Sequence, residues 1–243
     1  MKISRRDPGA DIPGFAAFER TFWYPFGERR FRIDHGKDSL RFFGPDSARF
    51  IALEDGRVVG TLALSPSRRY LGDLKILPSA RGSTTLARLA RAAMNAFPDI
   101  GSAYAVVMDG TEVTPDAYSG RAGFPAMKPL ARFTVLRVEG AAPSDAGRAR
   151  ITHTRDSKRL YWDDGTEMLN AHLKGPATPE SILDAAGLAA HEGFPALLAA
   201  VPEEEAAVVA SRLAPLSVSS AGATVYGFGY RDGYRWDIET AEV

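Results

Sequence analysis

Five consecutive residues in the first half of the chain have the types and the order of an anion-binding turn. Arg81 and Gly82 are followed by Ser83, Thr84 and Thr85, where an amphipathic helix is predicted to begin. The first turn of a helix presents unpaired backbone N–H groups and the positive end of the helix dipole. A phosphate or pyrophosphate binds well at such a terminus. The sequence therefore predicts a site for a phosphorylated cofactor.

A predicted strand and a predicted helix stand on either side of this turn. The strand covers residues 70–77, and Pro78 follows it. In the helix, apolar residues recur at the spacing that makes one continuous stripe on a helical surface. The stripe consists of Leu86, Leu89, Ala90, Ala93, Met94 and Phe97. We therefore expect a rigid strand that leads directly to the anion-binding helix terminus.

The composition argues against several classes of function. The 30 basic and 30 acidic residues cancel, so we expect neither nucleic acid nor an anionic membrane as a partner. The absence of cysteine excludes disulfides and thiol nucleophiles. The four histidines (His35, His153, His172 and His191) lack the spacing of metal ligands. They are interpreted as structural or surface residues, and no metal is expected.

Membrane and export signals are also missing from the sequence. No apolar run approaches the roughly 20 residues that a membrane-spanning helix needs. The first residues lack the apolar core of a signal peptide. We therefore expect a cytoplasmic protein.

The order of predicted elements indicates an α/β protein in two parts. A hairpin over residues 49–64 precedes the strand–turn–helix unit, and a strand at 102–108, a short helix at 115–121 and a strand at 132–138 follow it. The Gly/Ala/Pro/Ser-rich residues 139–149 are typical of a linker. Residues 1–138 are therefore predicted to form one domain. Residues 150–243 are predicted to form a second, smaller α/β domain.

This order of elements resembles the GCN5-related N-acetyltransferase (GNAT) superfamily over about residues 1–138. Ile76-Leu77-Pro78 and Arg81-Gly82 match the end of that family's fourth strand and the start of its R/Q-x-x-G-x-G/A loop, and Gly123-Phe124 matches a Gly-Phe after its short helix. Thr84 and Leu86 replace the two later loop glycines. The resemblance implies an α/β fold of the α+β type, a mixed sheet flanked by helices, with acetyl-CoA or another acyl-CoA as donor.

The resemblance also implies roles for individual residues. The backbone N–H groups of Ile76 and Leu77 would polarise the thioester carbonyl, and the loop from Arg81 to Thr85 would bind the donor's pyrophosphate. Asp73, on the same strand, would be the general base. Counting back from Gly123, the position of the acid that protonates the leaving thiolate falls on Ser119, while the neighbouring Tyr118 has the suitable phenol.

The expected activity is transfer of an acetyl or longer acyl group to the amine of an unidentified small molecule. Three alternatives stay open: an acyl-CoA-binding or regulatory module without turnover, an N-acyl amino acid synthase that uses acyl carrier protein, and an interaction protein that keeps only the fold. The N-terminal aromatic residues either line an acceptor pocket or pack the first helices onto the sheet; they are Trp23, Tyr24, Phe26, Phe42 and Phe43. The C-terminal segment either covers the cleft or mediates a homodimer.

Overall fold

Eight strands form the central sheet of the computed structural model, which describes residues 1–36, 40, 44–121, 123–140, 151–153, 158–169, 171–173, 177–238 and 242. In spatial order they are β1 (Lys2–Arg6), β4 (Ala48–Glu54), β5 (Arg57–Ser65), β6 (Tyr70–Ile76), β7 (Ala103–Met108), β14 (Ser217–Phe228), β8 (Lys128–Glu139) and β13 (Ala196–Pro202). Neighbouring strands are antiparallel except β6 and β7, which are parallel. The sheet is therefore mixed, as predicted.

A smaller sheet packs against one face of the central sheet. Its strands, in spatial order, are β11 (Glu167–Met168), β10 (Lys158–Trp162), β3 (Arg29–His35) and β2 (Tyr24–Phe26). Phe31 and Trp162 are fully buried between the two sheets, in one core with Val135 and Val225 of the central sheet. A separate pair is formed by β9 (Ile151–His153) and β12 (Ala171–Leu173).

Five helices flank the sheets in the described part of the chain. They are α1 (Phe15–Glu19), α2 (Thr85–Ala96), α3 (Pro115–Tyr118), α4 (Pro179–His191) and α5 (Ala206–Arg212). Leu89, Ala90 and Ala93 of the predicted apolar stripe are fully buried where α2 packs on β4 and β5. The periodicity of residues 86–97 therefore predicted both the helix and its buried face correctly.

Local turn chemistry explains the predicted hairpin. Strands β4 and β5 are joined at Asp55 and Gly56, which both have positive φ, at 50° and 78°. That combination is the one that a tight hairpin turn requires, and Gly adopts it without strain. The hairpin prediction is confirmed.

The segment after residue 150 differs from the predicted separate domain. Strand β14 lies between β7 and β8, and β13 extends the same sheet beyond β8. Ala223 and Val225 of β14 are fully buried in one core with Tyr70, Tyr104 and Val135 of the first half of the chain. The composition change at residues 139–149 therefore does not mark a boundary between two separate hydrophobic cores. Most of that linker, residues 141–149, lies outside the described residues.

Candidate active site

Strands β6 and β7 begin side by side and then separate. Their parallel register contains a single pair, Tyr70 with Tyr104, and the Tyr104 N–H donates to the Arg69 carbonyl at 2.8 Å. Beyond that pair an open cleft of about 880 Å³ is lined by residues 71–76 of β6 and 105–108 of β7. The facing edges of the two strands therefore present backbone groups to the cleft instead of to each other.

A β-bulge interrupts β6 beside the cleft. Ala63 of β5 pairs with Gly72 and Thr61 pairs with Lys75, so two residues of β6 oppose a single residue of β5. Asp73 lies in this bulge with φ at 53°, an uncommon conformation for a residue other than glycine. A bulge of this kind re-aims side chains, and here the Asp73 side chain lines the cleft.

The two backbone amides predicted to polarise the carbonyl have different surroundings. The Leu77 N–H donates to the Val59 carbonyl at 2.9 Å, so the sheet already uses it. Successive N–H groups of a strand alternate between its two edges. The Ile76 N–H therefore faces the cleft, which Ile76 lines. The structure thus leaves one of the two predicted donors available.

Only some residues of the predicted anion-binding turn line the cleft. Arg81, Gly82 and Ser83 line the cleft, and Gly82 has φ at 73° with open space where a Cβ would lie. Thr84 is exposed just before α2 and is not part of the cleft lining. Thr85 is buried, and its hydroxyl contacts Ser83 Oγ at 2.8 Å and Met1 Sδ at 3.1 Å. Arg81, Gly82 and Ser83 are therefore the residues of this turn that are placed to meet an anion in the cleft.

An exposed ion pair connects the two loops at the mouth of the cleft. Arg81 Nη1 lies 3.0 Å from Glu112 Oε2, and both residues line the cleft. Arg81 belongs to the loop after β6 and Glu112 to the loop after β7. An anion that binds Arg81 would compete with Glu112 for the guanidinium.

Tyr118 and Ser119 have separate environments. Tyr118 is half-buried and lines the cleft. Burial, with a contribution from Asp116, raises the pKa of the Tyr118 phenol above its ordinary value. Ser119 is buried away from the cleft and accepts a hydrogen bond from the Met127 N–H at 2.8 Å. Of the two residues predicted for the acid, only Tyr118 lines the cleft.

Five charged or titratable side chains form a buried network that includes Asp73 and Lys75 of β6. Asp73 Oδ2 accepts from Arg49 Nη2 at 2.6 Å, and Asp73 Oδ1 lies 3.3 Å from His35 Nε2. The other ring nitrogen of His35, Nδ1, lies 2.6 Å from Glu19 Oε1. Lys75 Nζ donates to the same Glu19 oxygen at 2.9 Å. The network joins α1, both sheets and the bulge.

The cations of this network keep both carboxyl groups ionised. Burial acts to raise the pKa of Glu19, but attraction by His35 and Lys75 overrides it and lowers that pKa to about 2. Burial likewise opposes ionisation of Asp73, and His35, Lys75 and Arg49 together hold its pKa well below the ordinary range. At neutral pH both groups are therefore carboxylates.

This environment does not suit the predicted role of Asp73 as general base. A carboxylate whose pKa is held so low takes up a proton poorly. Its two oxygens already face Arg49 and His35. Asp73 instead connects the β-bulge with the buried cations Arg49 and His35.

Two residues from the second half of the chain also belong to the cleft lining. Lys158 and Glu242 both line it. The Tyr104 hydroxyl donates to Glu242 Oε1, and the Tyr70 hydroxyl donates to its backbone carbonyl, each at 2.7 Å. Burial lowers the pKa of Lys158 to about 8. The C-terminal segment therefore contributes polar groups to the cleft.

Aromatic residues from the N-terminal region also line the cleft. Trp23 and Tyr24 line the cleft, whereas Phe26 is buried in the core and packs edge-on against Trp162. Phe26 therefore has a packing role, and Phe42 and Phe43 lie outside the described residues. Among the described residues, no group of three or more side chains is arranged to hold a metal ion. No helix in the described part of the chain is long and apolar enough to cross a membrane.

Glu19, His35, Lys75, Lys158 and Glu242 belong to the site but were not among its predicted residues. Their partners lie far away in sequence, so no local spacing reports them. Asp73 and Lys75 do carry one signal, because a charged residue inside an otherwise apolar strand needs a buried partner. Arg49 is another charged residue inside an apolar strand, and its buried partner is Asp73.

Comparison with solved structures agrees with this topology. A candidate acetyltransferase from Pyrococcus horikoshii superposes with a TM-score of 0.53 at 10% sequence identity, covering 98% of this chain and 93% of that one. The fold is that of the GCN5-related N-acetyltransferases. At this level of identity the similarity concerns the fold alone. The predicted fold class and the predicted resemblance are both confirmed.

Two further structures give lower scores. A GNAT-family acetyltransferase from Colwellia psychrerythraea has a TM-score of 0.44 at 12% identity, covering 93% of this chain and 99% of that one. A GCN5-related N-acetyltransferase from Anabaena variabilis has a TM-score of 0.38 at 8% identity, covering 92% and 72% respectively. At the level of sequence, neither protein-family models nor curated proteins give a match.

Proposed function

We propose that this protein transfers an acyl group from an acyl-CoA thioester to an amine. The observation that carries the proposal is the cleft between the separated strands β6 and β7. It brings together a free backbone donor, an anion-binding turn and a phenol with a raised pKa. These are the groups that thioester aminolysis needs, and they line one continuous space.

The donor's position follows from the chemistry of the cleft walls. Arg81, Gly82 and Ser83 would bind the pyrophosphate through the guanidinium and the backbone N–H groups of the turn. The thioester would then extend along β6, with its carbonyl oxygen accepting from the Ile76 N–H. A fixed donor of this kind favours the transition state, because the negative charge on that oxygen grows during attack.

The acid completes the reaction. A phenol is protonated at neutral pH, and burial raises the pKa of Tyr118 further, so Tyr118 can protonate the sulfur as the C–S bond breaks. Holding the amine and the thioester in line supplies most of the acceleration in such a reaction.

Acyl transfer from an acyl carrier protein is the second candidate function, and one observation favours it. Leu86 stands where the family loop has a small residue, and its side chain lines the cleft. A leucine here narrows the space beside the proposed pyrophosphate. A carrier-protein donor, which reaches the cleft with a phosphopantetheine arm alone, would tolerate this narrowing better than CoA would.

Ligand-induced stabilisation and turnover separate these functions. Acetyl-CoA at 100 times its dissociation constant should stabilise the protein by about 2.7 kcal/mol, measured as a rise in Tm. The protein has no cysteine, so thiol released from acetyl-CoA can be measured directly with a thiol-reactive dye against a panel of primary amines. A rise in Tm with amine-dependent thiol release supports the transferase.

Other outcomes have distinct meanings. Stabilisation without thiol release for any amine would instead support the binding module. Acyl transfer from acyl carrier protein but not from CoA would identify a carrier-dependent enzyme. No stabilisation and no turnover with either donor would contradict the proposal and leave only the fold in common.

A further inference from the structure

We propose that Lys158 is acylated by the thioester bound in its own cleft, in a reaction that needs no second molecule as acceptor. This inference rests on the proposed function, because the acyl donor is the same. Lys158 lines the cleft, which it reaches from β10 of the smaller sheet. Only 7% of the residue is exposed, so a reagent reaches its amine through the cleft.

The alternation of β10 turns the Lys158 side chain toward the central sheet. Lys158, Leu160 and Trp162 are the buried residues of this strand. Successive side chains of a strand point to opposite faces, so Lys158 lies on the same face as the two core residues. Its cross-strand neighbour is His35, which also lines the cleft. The amine thus belongs to the inner wall of the cleft and not to the outer surface of the smaller sheet.

Charged or titratable side chains from several elements act on this amine. They are Glu19 of α1, His35 of β3, Asp73 and Lys75 of β6, and Glu242 of the segment after β14. Burial is the main reason that the pKa of Lys158 falls to about 8; Asp73 opposes this change and Lys75 reinforces it. At pH 7 about one Lys158 in ten is therefore a neutral amine, compared with about one in 2,500 for an ordinary lysine.

Lys75 lines the same cleft but has a different environment. Its Nζ donates to Glu19 Oε1 at 2.9 Å and lies 4.0 Å from Asp73 Oδ1. Burial acts to lower the pKa of Lys75, but attraction by neighbouring groups, chiefly Tyr24 and Glu19, raises it above its ordinary value. Lys75 therefore stays an ammonium without a lone pair. We expect the cleft to distinguish between its two lysines, so that only Lys158 is acylated.

The reaction balances without a further reactant. The neutral Lys158 Nζ attacks the thioester carbon, a C–N bond forms and the C–S bond breaks. Tyr118 gives its proton to the sulfur as that bond breaks, and the nitrogen then gives up a proton that restores the Tyr118 phenol. The products are an amide on Lys158 and a thiol. The modification thus replaces a cation of the cleft lining by a neutral amide.

Mass spectrometry of the wild type, incubated with acetyl-CoA and no added amine, tests the proposal. We expect one acetyl group on Lys158, added at least about tenfold faster than on Lys128. The Lys128 side chain is 63% exposed, so it reports direct chemical acetylation from solution. Lys75 should stay unmodified. Unacylated CoA, which competes for the cleft, should slow the modification of Lys158 and leave that of Lys128 unchanged.

One variant tests whether the modification uses the groups of the cleft. In Y118F the leaving thiolate loses its acid, so acetylation of Lys158 should slow by about 10²-fold while that of Lys128 is unchanged. Y234F, which changes an exposed tyrosine outside the cleft, is the matched control and should modify Lys158 at the wild-type rate. The rate per molecule should not depend on protein concentration, because the bound donor and the amine belong to one molecule.

Other results would overturn the assignment. Equal rates at Lys158 and Lys128, or a Lys158 rate that CoA does not slow, would mean direct chemical acetylation only. Acetylation of Lys75 in place of Lys158 would contradict the distinction between the two lysines. An unmodified Lys158 in a protein that releases thiol with added amines would overturn this proposal and leave the proposed function intact. No modification, no rise in Tm with acetyl-CoA and no thiol release with any amine would overturn the proposed function itself.

Discussion

Arg49 Nη2 lies 2.6 Å from Asp73 Oδ2, and both side chains are almost completely buried. Their strands are separated along the sheet by β5, so the ion pair crosses over that strand from β4 to the bulge in β6. Asp73 has a positive φ at this point. The ion pair therefore stabilises an otherwise unfavourable backbone conformation beside the cleft.

Removal of the Asp73 charge should destabilise the fold. In D73N the buried Arg49 loses its counter-charge, and breaking a buried pair in this way costs about 3–5 kcal/mol. The free energy of unfolding from urea titration measures the effect. D7N, which breaks the exposed Arg5–Asp7 pair, is the control and should cost less than about 1 kcal/mol. Equal stability of D73N and D7N would contradict the role of the network.

Loss of the Tyr118 hydroxyl should slow the reaction and leave binding intact. We expect Y118F to lower kcat by about 10²-fold or more, because the leaving thiolate loses its acid, while the KM for acetyl-CoA stays the same. Steady-state thiol release gives both values. Y234F removes a hydroxyl from an exposed tyrosine outside the cleft and should behave as wild type. A Y118F enzyme with the wild-type kcat would remove Tyr118 from the mechanism.

Ser119 should matter for stability and not for catalysis. S119A leaves the Met127 N–H without its acceptor in a buried position, which costs about 1–3 kcal/mol. S211A, which removes an exposed hydroxyl on α5, is the matched control and should change stability little. A fall in kcat for S119A at unchanged stability would return Ser119 to the position of the acid.

Arg81 should contribute to donor affinity. R81Q removes a charge-assisted contact to the pyrophosphate, so we expect the KM for acetyl-CoA to rise about tenfold. E112Q frees the Arg81 guanidinium from its exposed partner and should lower that KM or leave it unchanged. If R81Q and E112Q raised KM equally, the ion pair itself, and not the free guanidinium, would be what donor binding needs.

Acid should weaken the fold through Glu19. The pKa of this group falls from an ordinary 4.5 to about 2 on folding. The unfolded chain therefore binds the proton more readily, and the stabilisation is present above pH 4.5 and is lost as the pH falls toward 2. Urea titrations across this range should show a steep decline in the free energy of unfolding for the wild type and a shallower one for E19Q. Parallel pH dependences would contradict this contribution.

Features that depend on neighbouring residues could be predicted from the sequence. The apolar spacing of residues 86–97 predicted α2 and its buried face, and the Asp55-Gly56 turn predicted the hairpin. The anion-binding turn was also a local pattern, although only Arg81, Gly82 and Ser83 of its five residues reach the cleft. The residue types of this turn do not show which of its residues will face the cleft.

Features that depend on strand register could not be predicted in this way. The Leu77 amide is engaged because β5 pairs with that edge of β6, which the residue type does not show. Glu19 and Lys75 are 56 residues apart in sequence, and the smaller sheet brings His35 between them. The interpretation of His35 as a structural or surface residue agrees with its buried contacts, but its two carboxylate partners could not be predicted, for the same reason.

The place of β14 in the central sheet has a consequence for synthesis on the ribosome. Strand β7 is complete at residue 108, but the strand that covers its second edge ends only at residue 228. While the intervening chain is being made, the edges of β7 and β8 have unpaired backbone groups, which can recruit strands from other molecules. The edges of β7 and β8 that face β14 can therefore be covered only after synthesis has passed residue 228.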